Sequence, residues 1–158
     1  MDTTDRHLLS LLQGDSRLTY EELGEAVGLS APATYQRVRK LEHAGVLVGY
    51  HARVKPEALG RGVVAFVRVS PGPGTNMGRL IEGWDAAGEI LECHRTTGSG
   101  GYLLKLRLAS AAELGPHLDA ARNAGCGAVA DIGLVTLFER WTVPVWETLP
   151  GGRDPQAR

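Results

Sequence analysis

The chain opens with apolar positions at helical spacing. In "MDTTDRHLLSLLQGD", Leu8, Leu9, Leu11 and Leu12 fall on one side of a helix predicted over 3–14. Asp2 or Thr4 caps it and Gly14-Asp15 stops it. Thr19, with Glu22 three residues on, forms the capping box of a second helix running to about Val27, with Leu23, Ala26 and Val27 inward. Gly28-Leu29 is a tight turn. Ser30 then caps a third helix, "SAPATYQRVRKLEHAG", closed at Gly45, with Pro32 in the first turn where a missing N–H costs little. On this helix Thr34, Val38, Leu41 and Gly45 share the inward face. "VLVGYHARVKP" reads as a two-stranded wing about Gly49, and "PEALGRG" (56–62) as a connector.

Beyond Gly62 the period shortens to two. "VVAFVRVS" (63–70) is a strand, followed by the turn-rich "PGPGTN". Residues 76–88 return to helical spacing through Met77, Leu80, Ile81 and Trp84. "EILECHRTT" (89–97) and 102–109 are strands on either side of a glycine-rich loop. Residues 110–124 form a helix with Leu114, Leu118 and Ala121 inward, and "VADIGLVTLFERW" (129–141) is the last strand. The order β-α-β-β-α-β is the ferredoxin-like arrangement, an antiparallel sheet with both helices on one face. The fold class is therefore α+β: a winged helix-turn-helix over 1–55, a linker over 56–62, a βαββαβ domain over 63–146 and a polar tail over 147–158. Strands this apolar call for a cover on the second face, which a partner subunit would supply through "FERWTVPVW" and its surroundings.

Composition narrows the class of function. The 158 residues carry a net charge of −1, so any nucleic-acid site must be a local patch. The N-terminus is acidic and lacks the apolar core of a signal peptide, and no apolar run approaches the ~20 residues of a membrane span. The expected location is the cytoplasm, with no membrane partner. Two cysteines, Cys93 and Cys126, fit no metal spacing, and the histidines are scattered. No metal, cofactor or catalytic cluster is expected, and the chain is read as no enzyme.

Two helices joined by a glycine turn, the second one basic, form the helix-turn-helix pattern. Opposite the inward stripe, the third helix presents Pro32, Gln36, Arg39 and His43, with Ala33 and Lys40 beside them and Tyr35 and Arg37 at the flanks. Gln36 has the groups for bidentate contact with adenine and Arg39 for guanine, while small residues let the helix approach the groove. Lys40, with Arg53 and Lys55 of the wing, would serve phosphates. Ser30, Pro32, Ala33, Tyr35, Gln36, Arg37, Arg39, Lys40, Arg53 and Lys55 are the expected contacts to double-stranded DNA. Residues 1–55 hold as many acidic as basic side chains, so one head binds weakly and a multimer gains by avidity.

The segments "DRHLLSLLQGDSRLTYEELGEAVGLS", "RVRKLEHAGVLVGY" and "ECHRTTGSGGYLLKLR", in this order before a βαββαβ domain, resemble the leucine-responsive/asparagine-regulator (Lrp/AsnC) family of transcription factors from about Asp2 to Trp146. The resemblance implies a winged helix-turn-helix and a ligand-sensing domain, dimers that assemble further, often to octamers, and a response to amino acids. It marks Thr97, Gly98, Ser99, Gly100, Gly101 and Tyr102 as the effector loop. Family members that sense amino acids usually read like G-D-x-D-Y there. Here Gly98 and Tyr102 are kept, while Ser99 and Gly101 stand where the aspartates would be. A buried α-ammonium wants a carboxylate or several carbonyls. The loop therefore leaves three readings: a different ligand, an amino acid met by other groups, or no ligand at all. It matches no phosphate-binding loop, because it runs into a strand and lacks the lysine. The expectation is a sequence-specific DNA-binding regulator sensing an amino acid or related metabolite. The alternative is an effector-independent architectural DNA-binding protein.

Overall fold

The computed structural model describes residues 1–97 and 101–145. They divide into two compact units. One comprises Met1–Ala52 together with the described residues from Phe138 on, and the other comprises the described residues of Arg53–Leu137.

The first unit is a three-helix cluster. Helix α1 spans Thr3–Gly14, and its cap is Asp2, which accepts from the Asp5 amide while Asp5 accepts from the Asp2 amide. Helix α2, Tyr20–Val27, starts from the Thr19–Glu22 capping box and ends at Gly28 with φ +72°, a left-handed turn that glycine adopts without steric cost. Helix α3 runs Ala31–His43. Leu8, Leu12, Leu23 and Val38 form the buried centre, with Leu11, Leu18, Val27 and Leu47 packed around it. Ala26, expected inward, is exposed.

The turn between α2 and α3 depends on a close approach. Gly24 is buried, and a β-carbon there would lie 2.5 Å from the Leu29 carbonyl oxygen and 3.0 Å from Thr34 Oγ1. Backbone cannot swing aside as a side-chain tip can. Gly24→Ala is therefore expected to cost about 1–3 kcal/mol by overpacking. A urea melt of the variant checks this, and wild-type stability would remove Gly24 as a determinant of the turn.

The expected two-stranded wing is not formed. Residues 46–55 carry no strand, and the chain leaves α3 through Gly45 at φ +65° with the Val46 and Leu47 amides both on the Leu41 carbonyl. Val48, Tyr50 and Val54 are exposed, so a ribbon here would have no face to bury, and a lone hairpin is marginal in water.

In the second unit four strands form one antiparallel sheet: β1 Val63–Ser70, β2 Ile90–Arg95, β3 Tyr102–Leu108 and β4 Gly127–Gly133, in spatial order β2-β3-β1-β4. This is the order the ferredoxin-like reading requires. Helices α4 (Met77–Ala86) and α5 (Leu114–Asn123) share one core with alternate strand residues. Ala65, Val67 and Val69 of β1 and Leu104, Leu106 and Leu108 of β3 meet Trp84, Leu114 and Ala121 there. The other face carries Phe66, Arg68, Leu103, Lys105 and Val129. Arg68 pairs with Asp131, and Glu92 accepts from Lys105 at 2.9 Å and lies 3.1 Å from His94. Cys93 is exposed and Cys126 buried, and both are free.

The last strand is shorter than expected. Gly133 pairs with Val64, and β1 begins one residue earlier at Val63, so beyond Leu134 the chain has no β1 residue to continue against. Residues 134–141 leave the sheet, and the stretch from Phe138 groups with the helical unit. Gln13 of α1 holds it with both ends of its amide: Nε2 donates to the Val143 carbonyl at 3.0 Å, and Oε1 accepts from the Val143 amide at 2.6 Å. Arg6 adds a bond to the Val145 carbonyl. The side chain thus offers the donor and acceptor that a neighbouring strand would. No described helix is long and apolar enough to cross a membrane.

Candidate nucleic-acid interface and effector loop

Helix α3 presents its polar side as the sequence pattern predicts. Thr34, Val38 and Leu41 are buried, and Thr34 Oγ1 donates to the Ser30 carbonyl at 3.0 Å. Pro32, Gln36, Arg39 and Lys40 are exposed, and Ala33 is half-buried. Among the described residues, Gln36 and Lys40 make no hydrogen bond or ion pair, so their polar ends are available to a partner molecule. Ser30 sits at the cap position, but its side chain makes no cap bond. Tyr35 meets Tyr20 edge-on with centroids 5.3 Å apart.

Two arginines on this helix have partners. Arg37 Nη1 binds Asp2 at 2.7 Å and Asp5 at 2.8 Å, joining α3 to the cap of α1. The Asp5 amide and then the Arg37 guanidinium hold the Asp2 carboxyl below its ordinary range. Arg37 is thus engaged as a brace between helices. Arg39 Nη1 binds Glu42 at 2.6 Å, and the Tyr50 hydroxyl donates to the other Glu42 oxygen at 2.9 Å. Tyr50 and then Arg39 lower the Glu42 carboxyl, against the opposing effect of burial. The sequence reading did not single out Glu42, Asp2, Asp5 or Tyr50 as partners of these arginines. The three-residue spacing of Arg39 and Glu42 was the one signal available. Arg53 and Lys55 are exposed and group with the second unit.

Of the expected effector residues, Gly98, Ser99 and Gly100 lie outside the described residues. Thr97 is exposed. Gly101 closes the loop: its carbonyl accepts from the Thr96 amide at 2.9 Å, and its backbone is left-handed at φ +68°. A β-carbon there would lie 2.6 Å from Pro71 Cδ and 3.0 Å from the Val69 carbonyl oxygen. Tyr102 is half-buried against Trp84, with ring centroids 6.1 Å apart. No group of described His, Cys, Asp and Glu side chains has a geometry that could hold a metal ion.

Comparison with known proteins places both units. Residues 1–42 match the AsnC-type helix-turn-helix domain, and residues 64–122 match the Lrp/AsnC ligand binding domain. The chain is 37% identical over 123 residues to the HTH-type transcriptional regulator LrpA of Mycobacterium tuberculosis, covering 78% of this chain and 82% of that protein. It is 38% identical over 112 residues to the leucine-responsive regulatory protein of Salmonella typhimurium, covering 68% of this chain and 67% of that protein. Among solved structures, a transcriptional regulator from Neisseria meningitidis in complex with L-methionine superposes with a TM-score of 0.83 at 29% identity, covering 92% of this chain and 97% of that one. The exposed polar face of α3 and these matches give one answer: the chain belongs to the Lrp/AsnC family of DNA-binding transcriptional regulators, proteins with a helix-turn-helix and a ligand-binding domain and not enzymes.

Proposed function

We propose that this protein is a cytoplasmic, sequence-specific regulator that reads the major groove with α3, assembles through its sheet domain, and responds to an amino acid or related metabolite. The observation that carries the DNA reading is the open polar face of α3, where Gln36, Arg39 and Lys40 stand beside Pro32 and the small Ala33. Gln36 and Arg39 read base edges and Lys40 holds phosphate. Ser30 and Tyr35 border that face. Arg37 supports it indirectly through Asp2 and Asp5, and Arg53 and Lys55, in the segment expected as the wing, add positive charge.

Assembly is supported by exposed apolar surface. Phe66 and Val129 lie on the sheet face away from the helices, while Val48, Tyr50 and Val54 in the segment after α3 and Leu134, Val135, Leu137, Phe138 and Trp141 after β4 are also exposed. Surface of this kind marks an interface. A homodimer that associates further, to an octamer, covers it and gathers several weak DNA-binding heads on one duplex. The loop 97–102 is the effector position, as the family resemblance implies, and two similar structures are described as complexes with L-methionine. A ligand that favours one assembly state over another changes the spacing of the heads.

The test is a melt of the full chain against the amino acids and their keto acids. A ligand at one hundred times its dissociation constant adds about 2.7 kcal/mol, a rise of roughly 5–10 °C at this size. A reproducible rise names the signal. A flat screen, with duplex binding intact, replaces sensing with the effector-independent architectural role.

A further inference from the structure

We propose that Glu42 and Tyr50 are positioning residues for Arg39, so that the chain leaving α3 sets how the reading arginine meets DNA. This rests on the groove-reading role proposed for α3 and adds a means of regulating it. All three side chains belong to one compact unit. Arg39 and Glu42 are one turn apart on α3, with Nη1 and Oε2 2.6 Å apart, and the Arg39 side chain is 47% exposed. An exposed pair of this kind is ordinarily loose, because two long side chains must be held in one geometry. This pair differs in its third member. Tyr50 donates to Glu42 Oε1, so each carboxylate oxygen has a separate partner and the carboxylate cannot turn freely. Burial, and then the bond to Glu42, push the Tyr50 phenol up to about 12, so it remains a donor at any working pH. His43 Nδ1 lies 2.7 Å from the Arg39 carbonyl, against the backbone of the same turn.

The consequence for recognition follows from charge and entropy. Among the described residues, Glu42 engages one guanidinium nitrogen of Arg39, leaving Nη2 and Nε for a base edge. A guanidinium already fixed in place loses less rotamer freedom on binding. Its charge is also balanced locally, which weakens its pull on phosphates in general and leaves discrimination to the base contact. Glu42 thus raises the ratio of specific to non-specific binding rather than total affinity. Tyr50 lies two residues before Ala52, where the chain passes into the other unit, so a change in the segment 46–52 that withdraws the hydroxyl frees Glu42 and loosens Arg39.

The experiment uses the full-length protein, a duplex it selects from random sequence, and a scrambled duplex. Wild type, Y50F, E42Q, R39A and the Y50F/R39A double variant are titrated at two salt concentrations. Y50F is expected to lower the specific-to-scrambled ratio about three- to tenfold with scrambled binding unchanged. E42Q is expected to lower the ratio similarly while strengthening scrambled binding and steepening its salt dependence. In the R39A background the Y50F effect should vanish, which a purely structural role for Tyr50 would not produce. Should R39A lose specificity while Y50F and E42Q keep the wild-type ratio, the positioning role is wrong and the groove reading stands. Should R39A itself bind both duplexes as wild type does, the groove reading falls and this proposal falls with it.

Discussion

Gln36→Ala and Arg39→Ala, combined, are expected to reduce binding of a selected duplex nearly to the level of a scrambled one. Each bidentate contact to a base contributes about 1–3 kcal/mol of discrimination, so the pair accounts for roughly 2–6 kcal/mol per head. Both side chains project from the exposed face of α3, opposite the buried Thr34, Val38 and Leu41, so the loss is one of recognition and not of folding. Lys40→Ala provides the contrast. A phosphate contact carries no sequence information, so its removal weakens selected and scrambled duplexes alike and lowers the salt slope by about one. Fluorescence anisotropy with both duplexes at two salt concentrations separates these patterns. The assignment of α3 as the reading helix fails if the double variant retains its preference, whatever its absolute affinity.

The exposed polar face of α3 was legible in the sequence because helix capping and apolar spacing are local. Asp2 with Asp5 and Thr19 with Glu22 fix where α1 and α2 begin, and the spacing of Thr34, Val38 and Leu41 fixes which side of α3 turns inward. The helix-facing residues of the sheet were legible for a related reason: β3 alternates, and β1 does so in burial from Ala65 onward, so parity settles which side chains turn to the helices. What the sequence concealed depends on partners distant along the chain. Arg37 looked like a flanking cation until α1 brought Asp2 and Asp5 to it. The stretch 134–141 has the composition of a strand, yet β1 begins at Val63, opposite Leu134, and leaves the residues after it nothing to pair with. Gln13 as the holder of Val143 carries no signal in sequence, because an amide that mimics a strand edge looks like any other surface glutamine. The wing failed for the converse reason: its residues alternate, but a ribbon needs a face to bury.

Gly101→Asp, the change that brings the loop closer to the pattern of amino-acid-sensing relatives, is expected to destabilise the sheet domain by roughly 2–4 kcal/mol, a fall in melting temperature of about 5–15 °C. The smaller part is the left-handed backbone at φ +68°, which any residue with a β-carbon enters at a cost of about 1–2 kcal/mol, aspartate near the low end. The larger part is the contact of the new β-carbon with Pro71 Cδ at 2.6 Å. A proline ring closed on its own backbone cannot rotate away. Pro71→Ala removes that ring carbon, so Gly101→Asp should cost less in the Pro71→Ala background, with the Val69 carbonyl at 3.0 Å retaining part of the penalty. Thermal melts of the two single variants and the double variant measure the coupling directly. Its sign bears on the effector. If Pro71 and Gly101 are coupled, the missing carboxylate belongs to the packing of the whole turn, and an ammonium-bearing ligand must be met by carbonyls or by an acid on another element. If Gly101→Asp melts with wild type and gains an amino-acid-dependent stabilisation, the turn accepts the side chain, and a single substitution separates this loop from amino-acid binding.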